Sequence, residues 1–132
     1  ELAKQAAKEM IRWVSPVRHM MRTTTEDIVL RGKTIKAGDS LCLWYPSANR
    51  DSDAIEDPDT FDIERDNQNQ LAFGFGGHMC LGQHLAILEV ELFFKELLPR
   101  LSHIEFAADP EWVQAIFVGG LKSMPVRYAF NS

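Results

Sequence analysis

The sequence predicts a mixed α and β fold, and three stretches predict it. Leu2, Ala6, Met10 and Val14 recur at four-residue steps, the period of a helix face. Short β-prone runs separated by Gly, Asp and Lys turns fill residues 28–45. Leu81 to Leu98 then carries two apolar stripes, Leu81/Leu85/Leu88/Leu92 and Ala86/Val90/Phe93/Leu97. It is the strongest helix of the chain and is expected to be central, packed on more than one side.

The first helix is expected to end at Pro16, whose ring and missing N–H stop it. On it, Glu9 and Arg12 stand three apart and can pair. By themselves they read as an ordinary surface pair, although Ala6 and Trp13 flank Glu9. Val17 to Arg22 reads as an extended edge strand with solvated charges. Strands follow at Ile28–Leu30, Thr34–Lys36 and Ser40–Tyr45, forming one small sheet, and Ser47 is expected to cap a short helix. Residues 52–70 are rich in Asp, Asn, Gln and Pro around Phe61-Asp62-Ile63. They read as a long loop of functional type, with Arg65 an exposed arginine just past the anchor.

Phe73-Gly74-Phe75-Gly76-Gly77-His78-Met79-Cys80-Leu81-Gly82 organises the rest. A strand-like Leu71-Ala72-Phe73 leads in, and the long helix leads out. Glycines let backbone approach a ligand closely. A cysteine on a helix N-terminus is favoured as a thiolate, a metal ligand or a nucleophile. His84, four residues from Cys80, has metal-ligand spacing but lacks the further ligands of a zinc site. Pro99 closes the helix. The tail offers a strand at Ile104–Phe106 and a hairpin-like unit of Ala115–Val118, Gly119-Gly120 and Pro125–Tyr128.

At 132 residues the chain is long enough for one modest core, and 45% apolar with 25% charged residues is ordinary for a globular protein. A formal net charge of −5 argues against a nucleic-acid partner. No apolar run is long enough to span a bilayer and no signal peptide is recognisable. Cys42 reads as a small buried hydrophobe on a strand, and Cys42 with Cys80 makes no disulfide framework, so a reducing cytoplasm is expected. The opening Glu1-Leu2-Ala3-Lys4 reads as the middle of a helix. The chain is therefore expected to be one portion, residues 1–132, of a larger domain cut before residue 1.

Phe73, Gly76, His78, Cys80 and Gly82 have the spacing F-x-x-G-x-H-x-C-x-G, which closely resembles the haem-binding signature of cytochrome P-450, the haem-thiolate monooxygenases. Glu9-Met10-Ile11-Arg12 resembles the family's E-x-x-R motif. Asp57-Pro58-Asp59-Thr60-Phe61 with Arg65 resembles its meander, and Ser47-Ala48-Asn49-Arg50-Asp51 is similar to a run common in bacterial members. The resemblance covers about Lys8 to Tyr128. It implies the C-terminal part of the mainly α family fold: E-x-x-R helix, small sheet, meander, cysteine loop, long proximal helix and C-terminal hairpin.

That resemblance also implies roles. Cys80 is the thiolate on the iron of haem b (iron protoporphyrin IX), pushing electron density toward O–O cleavage. N–H groups at Leu81 and Gly82 tune the sulfur. Gly76 and Gly82 let the loop lie on the porphyrin, Phe73 shields the thiolate, and Arg22 and His78 donate to the propionates. Glu9, Arg12 and Arg65 form a buried network that fixes the meander. Val17, Met20, Phe117, Val118 and Leu121 fall in substrate-contacting stretches, and their apolar character implies a terpenoid, sterol or lipid-like substrate. Electrons are implied to come from NAD(P)H through a ferredoxin or flavodoxin-like partner, with O2 as co-substrate. Met79 is not expected to be a ligand. Ile87 stands where the family often has arginine, toward the proximal face, and Gln70 where it often has histidine. The oxygen-activating helix is not in this sequence, so these 132 residues alone are expected to be inactive. Other readings are a non-catalytic haem-binding or interaction module, and a peroxide-dependent or isomerase haem-thiolate enzyme.

Overall fold

The structure, a computed structural model, describes residues 1–66 and 69–131; residues 67 and 68 of the predicted long loop lie outside the described residues. Helix α1 spans Leu2–Val14 and ends as its sequence requires: Ser15 turns left-handed (φ 43°) and its N–H closes on the Ile11 carbonyl at 2.9 Å, with Pro16 next. Strand β1, His19–Thr23, follows.

The expected three-stranded sheet of residues 28–45 does not form. Strands β2 (Ile28–Leu30) and β3 (Lys33–Ile35) make a hairpin of their own, while β4 (Ser40–Trp44) pairs antiparallel with β1, His19 opposite Trp44 and Thr23 opposite Ser40. The reason lies at the ends of the pair. Thr24 and Asp39 bond through N–H and C=O at 3.0 Å, and the Tyr45 N–H donates to the Arg18 carbonyl at 2.9 Å, so β1 captures β4 at both ends. Helix α2 is Tyr45–Ala48, with Pro46 in its first turn. Ser47 therefore lies inside that helix and does not cap it.

Helix α3 runs Gln83–Leu97, two residues later than the sequence predicts, and a 3-10 turn at Leu98–Arg100 carries Pro99. It packs on α1, with Ile87 as its buried residue among those described. The Leu81/Leu85/Leu88/Leu92 stripe is open to solvent rather than packed, which corrects the expectation of a helix covered on more than one side. The C-terminal hairpin also differs from expectation. Strand β5 (Leu101–Phe106) pairs with β8 (Val126–Phe130), and the short β6 (Glu111–Trp112) with β7 (Leu121–Ser123). Residues 115–118 are no strand; Val118 makes a single bridge to Val17.

The buried apolar core is small: Ala7, Tyr45, Ile55, Ala72 and Ile87. The accessible surface of 9737 Å² exceeds the roughly 7,000 Å² expected of a compact protein of this mass. Leu85, Leu92, Phe93, Ile104 and Phe106 lie among the exposed residues.

Candidate functional site

A fully buried polar centre sits on the inner face of α1. Glu9 and Arg12 are both 0% exposed and joined by two bonds of 2.7 Å, Nε to Oε2 and Nη2 to Oε1. The remaining donors of Arg12 reach the carbonyls of Asn49 (2.8 Å), Pro58 (2.9 Å) and Thr60 (3.2 Å). Glu9 Oε1 accepts the Asp62 N–H at 2.9 Å and lies 3.5 Å from Arg65 Nε. Arg65 in turn donates to the carbonyls of Glu56, Asp57 (2.9 Å) and Thr60 (3.0 Å). Glu9, Arg12 and Arg65 thus meet in one network, and the irregular stretch 56–62 is held by their two guanidinium groups and the Glu9 carboxylate. Such a pair is tolerable without water only because its donors and acceptors are matched. Trp13 covers its edge, with Phe61 edge-on at 5.7 Å and the Arg50 guanidinium 4.8 Å from its ring centre.

The cysteine loop follows. Leu71 to Phe73 is not a strand: the Gly74 N–H bonds back to the Leu71 carbonyl at 2.9 Å, making a turn. The loop closes where the Cys80 N–H donates to the Phe73 carbonyl at 2.8 Å, around a 3-10 turn at Gly76–His78. Gly74, which sequence reasoning passed over, has φ +76° and faces the Tyr45 hydroxyl, 3.3 Å from where a Cβ would stand. Gly76 has φ +67° with nothing within 4 Å of its missing Cβ. Gly82, not Cys80, is the N-cap of α3, so the cysteine lies two residues ahead of the helix rather than on it. The N–H groups of Leu81 and Gly82 find no acceptor among the described residues, and Leu81 is 100% exposed.

Cys80 opens on a cavity of about 500 Å³ shared with His78 and Phe73 and otherwise apolar, its walls including Ile11, Val17, Met20, Ala72, Ala86 and Val90. Arg22 lies outside it. It lines a neighbouring cavity of about 620 Å³, which meets the first at Tyr45. Of the substrate-contact candidates, Val17 and Met20 line the cysteine's cavity. Val118 bridges Val17, Phe117 packs edge-on against His19 at 5.6 Å, and Leu121 sits in β7. Met79 and Ile87 face a third cavity, of about 470 Å³, with Lys4 and Lys8; Gln83 donates to the Met79 sulfur at 3.0 Å. Cys42 is exposed, contrary to its reading as a buried hydrophobe, and the described residues hold no cluster of metal-ligating side chains.

The carboxylates whose titration is displaced lie away from the cysteine's cavity. Asp27 is lowered by Lys36 and then by the Ala37 N–H. Asp51 is lowered chiefly by the Asp53 N–H, with a smaller contribution from Arg31, and Glu91 is lowered chiefly by Lys95.

The cytochrome P450 profile matches residues 1–118. The chain belongs to the cytochrome P450 family. It is 49% identical over 127 residues to cytochrome P450-terp of a Pseudomonas species, covering 96% of this chain and 30% of that protein. It is 43% identical over 129 residues to the methyl-branched lipid omega-hydroxylase of Mycobacterium tuberculosis, covering 97% and 30%. The crystal structure of the P450 CYP108D1 from Novosphingobium aromaticivorans superposes with a TM-score of 0.91 at 44% identity, over 98% of this chain and 32% of that one. The mixed helix and strand architecture is thus that of part of the P450 fold, and the chain spans under a third of the length of these curated relatives. No helix among the described residues is long and apolar enough to cross a membrane.

The residues around Cys80 fit the family's haem. A flat, mostly apolar macrocycle suits a cavity with this lining, a thiolate suits iron, and the Leu81 and Gly82 N–H groups, without an acceptor among the described residues, suit a ligand that carries negative charge.

Proposed function

We propose that this chain is the haem-thiolate portion of a bacterial-type cytochrome P450 monooxygenase, which inserts one oxygen atom from O2 into a C–H bond of an apolar molecule of terpenoid, sterol or lipid type. The observation that carries the reading is Cys80 in the lining of an apolar cavity, on a loop whose Leu81 and Gly82 N–H groups have no acceptor among the described residues. Haem b, when bound, supplies the oxygen activation. The chain's own work is to hold that group and tune it. Cys80 Sγ ligates the iron. With haem bound, the Leu81 and Gly82 N–H groups would donate to the sulfur, which would lower its charge donation and raise the potential. Gly76 leaves room for the ring. His78, at the cavity wall, and Arg22, next door, donate to the propionates.

Val17 and Met20 present apolar surface to the substrate, and the name of the methyl-branched lipid hydroxylase supports that class. Phe117, Val118 and Leu121 approach the substrate from the segment that the Val17–Val118 bridge holds in place. The electrons come from NAD(P)H through a ferredoxin or flavodoxin-like partner, in the cytoplasm. The isolated 132 residues do not turn over substrate.

The test is the reduced, CO-bound spectrum of the full-length protein. Cysteinate ligation gives a strongly red-shifted Soret band, and Cys80→Ser abolishes it. The same band in the serine variant refutes the assignment.

A further inference from the structure

Asn49 is wholly buried, and its peptide and side-chain groups each have a partner. Its N–H donates to the Tyr45 carbonyl (2.8 Å), ending α2, and its carbonyl accepts from Arg12 Nη1 (2.8 Å). The side chain spans two other elements. Nδ2 donates to Ser15 Oγ at 2.8 Å, and Oδ1 accepts the Leu71 N–H at 2.6 Å. Leu71 is the residue whose carbonyl starts the turn to Gly74, two residues before Phe73, whose carbonyl takes the Cys80 N–H.

An amide side chain can flip, so something must choose which end faces the loop. Ser15 chooses. Its hydroxyl proton is committed to the Arg12 carbonyl at 2.7 Å, so Oγ offers only a lone pair and calls for the NH2 end of Asn49. That leaves Oδ1 for Leu71. Ser15 does this at φ 43°, a left-handed position where glycine is relaxed and serine is not. The hydroxyl is kept where the backbone alone would favour its loss.

We propose that Asn49, oriented by Ser15, is a positioning residue for the cysteine loop: it carries the order of the buried Glu9–Arg12 network to the Leu71 amide, where the loop begins. The spectroscopic consequence rests on the haem-thiolate reading; the relay itself does not.

Hydrogen exchange at Leu71, measured on the full-length protein with and without haem, tests the relay. Asn49→Ala raises exchange at Leu71 on the order of tenfold, the loss expected of one buried hydrogen bond, while the amides of β5 and β8 stay as they were. Asn49→Asp keeps an acceptor for Leu71 and keeps its protection. Ser15→Gly relaxes the backbone but leaves the buried Asn49 Nδ2 without its acceptor, so the urea midpoint moves little, yet Leu71 exchange increases because the Leu71 N–H alone then holds the amide in place. With haem bound, Asn49→Ala and Ser15→Gly both shrink the red-shifted share of the reduced CO spectrum, and Asn49→Asp restores it. A purely structural role predicts the opposite for Ser15→Gly: a stabilised chain with an undisturbed loop. Leu71 exchange at the wild-type rate in Ser15→Gly overturns the proposal, including where Asn49→Ala fails to fold. A wild-type protein without the red-shifted band overturns the haem-thiolate reading, and Leu71 exchange still decides the relay.

Discussion

The network under α1 and the loop around Cys80 are joined through a few hydrogen bonds, yet they are opposites. Glu9 and Arg12 are sealed from water and matched donor to acceptor. Cys80, His78 and Leu81 are exposed, and the N–H groups of Leu81 and Gly82 have no acceptor among the described residues. The first region is finished within this chain; the second is shaped to receive something. Removing a partner from a finished network strands a charge, whereas removing a side chain from a receptive loop strands nothing. Arg12→Ala should therefore give the largest stability loss, about 3–5 kcal/mol, because the Glu9 carboxylate is left buried. In the haem-free protein Cys80→Ser should stay within about 0.5 kcal/mol of wild type. Urea unfolding of the full-length protein measures both, and a cost for Arg12→Ala below that of an exposed ion pair would show that the network is not desolvated.

The two glycines of the signature sharpen the same contrast inside the loop. Gly76→Ala meets no atom within 4 Å, so its whole cost is the positive φ of +67°, about 1 kcal/mol. Gly82 has an ordinary φ of −86°, and a Cβ there would stand 4.0 Å from Cys80 Sγ. Gly82→Ala should leave haem-free stability unchanged and move the ferrous–CO band, since the added methyl stands beside the sulfur. Equal stability losses for both would mean that crowding, not backbone conformation, explains Gly76.

These regions were also unequally legible in the sequence. The E-x-x-R pair and the F-x-x-G-x-H-x-C-x-G spacing could be read because their chemistry sits on short, fixed separations. Strand partners could not. β1 pairs with β4 across a gap that holds a complete hairpin, and local alternation says nothing about which strand captures which. Leu71-Ala72-Phe73 looked like a strand because its residues are apolar, but the Gly74 N–H turns it back on itself. Glu111–Trp112 is too short to leave a period at all. Asn49 was visible only as part of a familiar run, because its partners Ser15 and Leu71 lie 34 and 22 residues away. The open leucine stripe of α3 marks the converse limit: a pattern shows that a face is apolar, not that this chain covers it.

The smallest effect belongs to a site remote from both regions and serves as their control. Asp27 accepts from Lys36 Nζ at 2.6 Å and from the Ala37 N–H at 2.9 Å, which hold its carboxyl below the ordinary 3.8. A carboxylate lowered by folding stabilises the folded form above its unfolded value, and that contribution fades as pH falls below 3.8 toward the depressed value. Wild type should therefore lose protection of the Ala37 amide over that acidic window, and Asp27→Asn should make the loss disappear. Added salt should weaken the effect in wild type, because the pair is exposed and screened. The Glu9–Arg12 network, out of water, should not answer to salt in the same way. If salt weakened both alike, the distinction between the sealed network and the solvated surface would collapse.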